Sequence, residues 1–465
     1  MFSNANTKNA SSYSSGPQLM NMANLTIAPC AIIMVGLPAR GKTYMAKKLS
    51  RYLNWIGLNT KAFSVGDYRR KASSSFNNLS DFYDPNNIEA SKVREKCILD
   101  ALGDLQAFLM DKGEVGVFDA TNGRRDERQH IFDVLTIKCG FKTFFVESFC
   151  HGDKIVEANI RQVKINHPDY RGLTVEEAVA DFKKKIKRLE LEYETIDEIK
   201  DEHLSYMKII DQGRMFLVNK VHGHVESRVV YYLMNIHVLP RTIYLTRHGE
   251  SVMNLAGRIG GDGDLSENGV EFSKVLTDYV NNLNKPNLKI WTSLMKRTIQ
   301  TVSGLNNQKE HWKALNEIDA GVCEGMTYQE IHEKYPEEFA LRDNDKYHYR
   351  YPGGESYEDL VARLEPVIME LERQEDVLVI CHQAVARCLL AYFMDKPQEE
   401  LPYLKIPLHN IIKLTPVAYG CEIEFINLNV KAVDTHRPLP ANLQVTRSAH
   451  DALATVPPTP TTLSI

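Results

Sequence analysis

The residues best placed to do chemistry fall into two groups far apart in the chain. The first is Gly36-Leu37-Pro38-Ala39-Arg40-Gly41-Lys42-Thr43, which fits G-x-x-x-x-G-K-[ST] directly after an apolar run and directly before a helical one. Glycines there let backbone N–H groups curl around phosphate oxygens, the helix N-terminus adds its positive end, Lys42 reaches the outer phosphates and Thr43 can hold Mg²⁺. Val117-Phe118-Asp119-Ala120-Thr121-Asn122 puts the carboxylate of Asp119 at a strand end, where it can hold that metal or orient an acceptor hydroxyl. Arg69, Arg70, Arg94, Arg125, Arg128 and Lys164 follow at loops and element ends. Together they suit an acceptor that is itself phosphorylated, since planar guanidinium binds phosphate bidentately.

The second group begins at Thr246-Arg247-His248-Gly249-Glu250 and continues at Ile380-Cys381-His382-Gln383, two strand ends that each deliver a histidine. Imidazole can attack phosphorus and form a phosphohistidine if cations neutralise the phosphoryl oxygens, and Arg247 and Arg297 are the candidates. Glu317 can give the departing alkoxide its proton. No H-x-x-x-H pair or carboxylate triad accompanies the histidines, which argues against a metal.

The elements that must position these residues are short apolar runs alternating with helices. Strands are expected at Ala31 to Val35, Thr60 to Val65, Val115 to Phe118 and Lys142 to Ser148, with helices over Lys42 to Trp55 and Glu176 to Tyr193. Leu204 to Val218 reads as a return to strand, and the pattern restarts at Thr242 to Leu245, Leu288 to Trp291 and Val377 to Ile380. The fold class is therefore α/β in two domains, each a parallel sheet with helices on its faces, meeting near residues 235 to 240. Segments 1–25 and 441–465, the latter with Val456-Pro457-Pro458-Thr459-Pro460, read as disordered tails.

Composition sets the outer limits. The chain has 465 residues, 43% hydrophobic and 25% charged, with a net charge of -4, values of a soluble globular protein and too acidic for a dedicated nucleic-acid binder. Eight cysteines without a CxxC pair suggest neither a disulfide framework nor a zinc site. With no apolar run of membrane length and no secretory signal evident, a cytoplasmic protein is expected.

Several long stretches carry a specific resemblance. Arg51-Tyr52-Leu53-Asn54-Trp55-Ile56-Gly57, Tyr231 to Val238, Gly257-Arg258-Ile259-Gly260-Gly261-Asp262 and Trp312 to Glu324, with the motifs above, make the chain similar to the 6-phosphofructo-2-kinase/fructose-2,6-bisphosphatase family from about Ile32 to Arg437. The resemblance implies a P-loop kinase domain over 26–237 and a domain like phosphoglycerate mutase and the histidine phosphatases over 238–440. It implies ATP with Mg²⁺ on Gly36 to Thr43, Tyr44, Asn159 and Lys164, catalytic roles for Asp119, Cys150 and Lys164, and fructose 6-phosphate on Arg69, Arg94, Thr121, Arg128 and Lys185. In the second domain it implies a phosphorylated His248, Glu317 as acid, and Arg247, Asn254, Arg297 and His382 around the transferred phosphoryl. Gly260, Tyr328, Arg342, Lys346, Tyr357, Gln383 and Arg387 would hold fructose 2,6-bisphosphate, with no cofactor. A cytoplasmic homodimer without nucleic-acid or membrane partners is the family expectation.

The chain departs from the family pattern where Lys185 and Leu189 replace an Arg and a Tyr, and weaker fructose 6-phosphate binding is expected. The insertion in Gly123-Arg124-Arg125-Asp126 leaves Arg128 as the better match for the acceptor-binding Arg and Arg125 as the fallback. Other readings are a bisphosphatase whose P-loop half is a weak kinase or regulatory nucleotide module, a different P-loop kinase fused to a mutase-like phosphatase, and a structural scaffold.

Overall fold

The computed structural model describes residues 28–72, 87–150, 152–161, 174–236, 241–417, 420–439, 448–453 and 456. Two six-stranded sheets organise them. The first contains β1 (Cys30–Val35), β2 (Thr60–Ser64), β3 (Val115–Asp119), β4 (Lys142–Phe149), β5 (Tyr206–Ile210) and β6 (Met215–Asn219), in the order β2-β3-β1-β4-β5-β6. Every residue of β1, CAIIMV, is buried, as a central strand covered on both faces requires. Pairing is parallel except at the β5–β6 edge, which is antiparallel.

That edge corrects the single strand expected over Leu204 to Val218. Asp211, Gln212 and Gly213 all take positive φ values of 49°, 58° and 93°, and the chain reverses into a hairpin there.

The second sheet contains β7 (Ile243–Arg247), β8 (Lys289–Thr292), β9 (Lys309–His311), β10 (Val377–Cys381), β11 (Asn410–Val417) and β12 (Gly420–Asn427), in the order β12-β11-β7-β10-β8-β9. The strands β7 to β10 run parallel, and β11 and β12 add an antiparallel edge. Three of these strands, β9, β11 and β12, were not anticipated.

The expected N-terminal tail and the stretch 237–240 at the expected boundary lie outside the described residues. The expected C-terminal tail is corrected in part. Ala449–Leu453 is a helix, and Ala452 is fully buried in an apolar cluster with Phe339 and Tyr351. Arg437 fixes it by donating to the Ala452 carbonyl at 2.9 Å. A single buried alanine leaves no periodic signature, so composition alone read the segment as tail.

The helix Lys42–Trp55 joins the domains. It starts at the glycine loop, and its later turns lie against the second domain, in one apolar cluster that spans both. Trp55 Nε1 donates to the Cys388 carbonyl at 3.0 Å, and Tyr52 stacks on Tyr232 with centroids 4.4 Å apart. Lys48 Nζ reaches Glu372 at 2.6 Å, where Arg241, Arg51 and the Tyr392 hydroxyl also converge. Glu372 is fully buried. Burial alone would raise its pKa, but Lys48, Arg241 and Arg51 outweigh it and hold the carboxyl well below the usual carboxylate range.

Candidate active sites

In the first domain the loop between β1 and the helix Lys42–Trp55 closes at the carboxyl edge of the sheet. Gly36 has φ 134°, and a Cβ there would lie 2.5 Å from the Ser148 carbonyl oxygen, so only glycine fits. Gly36 N donates to Thr121 O at 2.9 Å, and Asn122 Nδ2 to Met34 O at 2.7 Å, locking the end of β3 against the loop. Asn159 Nδ2 holds the Ala39 carbonyl at 3.0 Å, and Arg40 donates to Pro38 O at 3.2 Å. Lys42 is buried with its Nζ on Leu37 O at 2.8 Å. Thr43 and Ser64 both donate to one oxygen of Asp119, at 2.8 and 3.0 Å. These three oxygen groups form the hard donor set that magnesium takes beside phosphate.

Other residues expected in this domain are placed unevenly. Arg69 is buried on the helix Val65–Ala72, which packs against the helix Ile88–Asp111 that carries the half-buried Arg94. Cys150 is half-buried in an apolar cluster that also contains Ala39 of the loop and Phe182. Lys185 lies 5.6 Å over the Phe182 ring. Lys164 lies outside the described residues.

Two of the expected residues have side chains engaged within the fold. Arg128 is fully buried, and its Nη1 donates to the carbonyls of Asn122, Gly123 and Glu194 at 3.3, 3.1 and 2.8 Å, while Nη2 faces Asp201 at 3.5 Å. Its Nη1 and Nη2 thereby tie the loop after β3 in place, while its Nε is buried without a partner among the described residues. Its fallback, Arg125, pairs with Asp201 at 3.1 Å and Glu194 at 3.2 Å. The side chain of Tyr44 belongs to the domain interface: Lys48 sits 4.9 Å over its ring, and burial and Glu372 push its phenol up.

In the second domain β7 and β10 end side by side, with Arg247 paired to Cys381 in register. The rings of His248 and His382 consequently lie 5.1 Å apart. His248 Nδ1 is 2.7 Å from the Gly249 carbonyl, which can only accept, so Nδ1 carries the proton and Nε2 keeps its lone pair. Burial first, then Arg297 and Arg247, hold the His248 pKa well below its ordinary value. The buried His248 imidazole is therefore neutral. Its protonation is displaced below pH 6.5, so kcat at saturating substrate should hold its plateau as pH falls through 6.5; a kcat profile with an inflection at an ordinary histidine pKa would contradict this assignment.

A cavity of about 200 Å³ opens over His248, lined by Arg247, Asn254, Gly260, Arg297, Glu317, Tyr328, Arg342, Tyr357, Gln383 and Arg387 among others. Arg247 Nη1 is held by Ile406 O at 3.0 Å and Thr435 Oγ1 at 2.9 Å, and Asn254 Oδ1 by Ser251 N at 3.0 Å. Arg297 donates to Gly261 O. Glu317 Oε1 accepts from Ile318 N at 3.0 Å and Ala384 N at 3.1 Å, at the start of the helix Gln383–Met394. His382 is fully buried with Nε2 on Ser293 Oγ at 2.8 Å. Arg247 Nε, Arg387 Nη2 and His382 Nδ1 are buried without a hydrogen-bond partner among the described residues. Orphaned polar atoms of this kind mark a place where a ligand completes the network.

Farther along the cavity a second cationic cluster forms. Arg342 lies 5.7 Å from the Tyr328 ring and 5.5 Å from that of Tyr351, and Arg387 Nη1 donates to the Tyr357 hydroxyl at 3.0 Å. Lys346 is buried with Nζ on Pro402 O at 2.9 Å; burial, then Arg387, Arg342 and Arg437, hold its pKa well below the ordinary lysine value. Burial would raise the Tyr328 phenol, but Arg342, Arg437 and Arg387 together bring it below its usual value. Asp343, 3.0 Å from Arg437, offsets part of this charge, and the remaining surplus of cations suits an anion. Sequence reasoning missed Ser293, Thr435 and Arg437, and also Leu453 and Val456, which line the cavity from the segment read as tail. Only the position of Arg437 at the end of the matched stretch signalled any of them.

A glycine loop with its strand-end carboxylate, joined to a neutral histidine among arginines, fits a P-loop kinase fused to a histidine phosphatase. The family model described as 6-phosphofructo-2-kinase matches residues 17–240, and that of the histidine phosphatase superfamily, branch 1, matches 243–429. The chain is 59% identical over 434 residues to the 6-phosphofructo-2-kinase/fructose-2,6-bisphosphatase 4 of Rattus norvegicus, covering 93% of this chain and 92% of that one. It is 57% identical over 438 residues to the 6-phosphofructo-2-kinase/fructose-2,6-bisphosphatase of Aquarana catesbeiana, covering 94% and 93%. The chain belongs to the 6-phosphofructo-2-kinase/fructose-2,6-bisphosphatase family.

Proposed function

We infer that this protein is a bifunctional enzyme. It makes fructose 2,6-bisphosphate from ATP and fructose 6-phosphate, and hydrolyses it back to fructose 6-phosphate and phosphate through a phosphohistidine, so that it controls glycolysis against gluconeogenesis. The observation that carries the reading is the pair of constellations on one chain: Thr43 on Asp119 beneath the glycine loop, and neutral His248 beside Arg247 Nε, Arg387 Nη2 and His382 Nδ1, unpartnered among the described residues.

In the kinase half the loop amides and Lys42 bind the nucleotide phosphates, and Thr43 and Asp119 would hold Mg²⁺, which supplies charge neutralisation when bound. Arg69 and Arg94 hold the acceptor. In the bisphosphatase half His248 Nε2 attacks the 2-phosphoryl group, Arg247, Arg297, Asn254 and His382 stabilise its oxygens, and Glu317 protonates the departing sugar oxygen. Water then attacks the phosphohistidine, with Glu317 taking its proton. The cluster of Arg342, Lys346, Arg387 and Tyr328 is the place for the 6-phosphate.

Units 26–237 and 238–440 carry the two activities, in a cytoplasmic homodimer without nucleic-acid or membrane partners. No helix among the described residues is long and apolar enough to cross a membrane.

Measuring both rates on the purified protein tests the reading. ATP-dependent formation of fructose 2,6-bisphosphate and release of its 2-phosphate should both exceed background. Absence of either one would refute bifunctionality.

Lys185 and Leu189 weaken the kinase acceptor site, because an ammonium lacks the bidentate fork and Leu lacks a hydroxyl. A Lys185→Arg, Leu189→Tyr double variant should tighten the KM for fructose 6-phosphate by roughly tenfold, the equivalent of one charge-assisted hydrogen bond. An unchanged KM in a fructose 6-phosphate titration would refute it.

A further inference from the structure

Glu317 stands in a loop between the two short helical turns Lys313–Leu315 and Gly321–Cys323, yet a proton donor must be held to a fraction of an ångström. Arg363, in the middle of the helix Tyr357–Arg373, supplies the hold. Its Nη1 donates to the carbonyls of Ala314 at 2.7 Å and Asn316 at 3.1 Å, and its Nη2 to that of Glu317 at 3.4 Å. Nε and Nη2 also make a two-pronged pair with Glu355, at 2.8 and 2.9 Å. All five guanidinium N–H groups are used. Glu355 closes the far side of the loop, accepting from Asp319 N at 3.0 Å and donating its own N–H to Asp319 O at 2.9 Å.

We propose that Arg363, braced by Glu355, is the positioning residue for the bisphosphatase acid: it fixes the backbone of 314–317 so that the Glu317 carboxyl stays on the Ala384 amide, within reach of the departing oxygen. The proposal rests on the bisphosphatase reading above. Arg363 is not among the residues lining the cavity, so its hydrogen bonds act on the reaction through the loop that carries Glu317.

A double-mutant cycle tests it. Arg363→Met should lower kcat for fructose 2,6-bisphosphate hydrolysis by about 10- to 100-fold, the scale of a misplaced general acid, with KM changed less than about threefold. Arg363→Lys should recover little, because one ammonium cannot span three carbonyls and a carboxylate. In a Glu317→Gln background Arg363→Met should cost nothing further. Equal losses in both backgrounds, or a loss confined to KM, would overturn the proposal. The circular dichroism spectrum and thermal unfolding of each variant report whether it has folded. If Arg363→Met fails that control, Glu355→Gln must show the same pattern, a smaller kcat loss that vanishes with Glu317→Gln, or the proposal fails. Glu317→Gln retaining full bisphosphatase activity would instead refute the acid assignment itself.

Discussion

Replacing His248 by alanine should lower fructose 2,6-bisphosphate hydrolysis by at least about 1,000-fold, the scale on which covalent nucleophiles fail when removed. His382, with its ring 5.1 Å away, is committed to Ser293 through Nε2. Glu317 is held on the amides of Ile318 and Ala384. No label from the 2-phosphate should then be trapped on the protein, while the wild type should give an acid-labile phosphate on nitrogen. Trapping that persists in His248→Ala would remove the phosphohistidine from the mechanism.

Glu372→Ala should destabilise the chain by about 3–5 kcal/mol, the usual consequence of stranding buried charges. Glu372 is the common partner of Lys48, Arg51 and Arg241, none of them more than 7% exposed at the side chain. Without it three cations face one another across the domain interface. Desolvation already lowers the Lys48 pKa to about 8. Because the folded pKa of Glu372 is depressed, its contribution is fully present above the unfolded carboxylate pKa and fades as pH falls through the acid range below about 4.5. The urea unfolding midpoint of the variant measures the loss. A shift equivalent to less than about 1 kcal/mol would mean that water reaches the cluster and that the interface is looser than its geometry implies.

The sites were legible in the sequence because α/β proteins collect chemistry at the carboxyl ends of parallel strands. Asp119, Arg247 and His382 each stand at or just past a strand end, and each strand carries an unbroken apolar run. The glycine loop was legible for the same reason: its motif sits between a buried strand and a helix.

What stayed hidden lacks a local signature. Arg128 looks like any loop cation until the fold surrounds it with carbonyls, and Lys48 looks like the solvated face of a helix until a second domain covers it. Arg363 is a mid-helix arginine whose importance lies in a loop some 46 residues upstream in the chain. The β11–β12 hairpin alternates rather than running apolar, since its antiparallel edge leaves residues such as Phe425 exposed. Leu453 and Val456 line the cavity from a segment that Arg437 holds at the Ala452 carbonyl and that Ala452 anchors in an apolar cluster.

The helix Lys42–Trp55 begins at the phosphate loop and ends on the domain that bears the opposing site. Two opposed reactions on one chain are physically useful only if each can be stopped without the other. That separability is the central claim, and a reciprocal assay tests it most directly. Lys42→Met should eliminate fructose 2,6-bisphosphate synthesis and retain hydrolysis, whereas His248→Ala should eliminate hydrolysis and retain synthesis. Loss of both activities in either folded variant would contradict two independent sites.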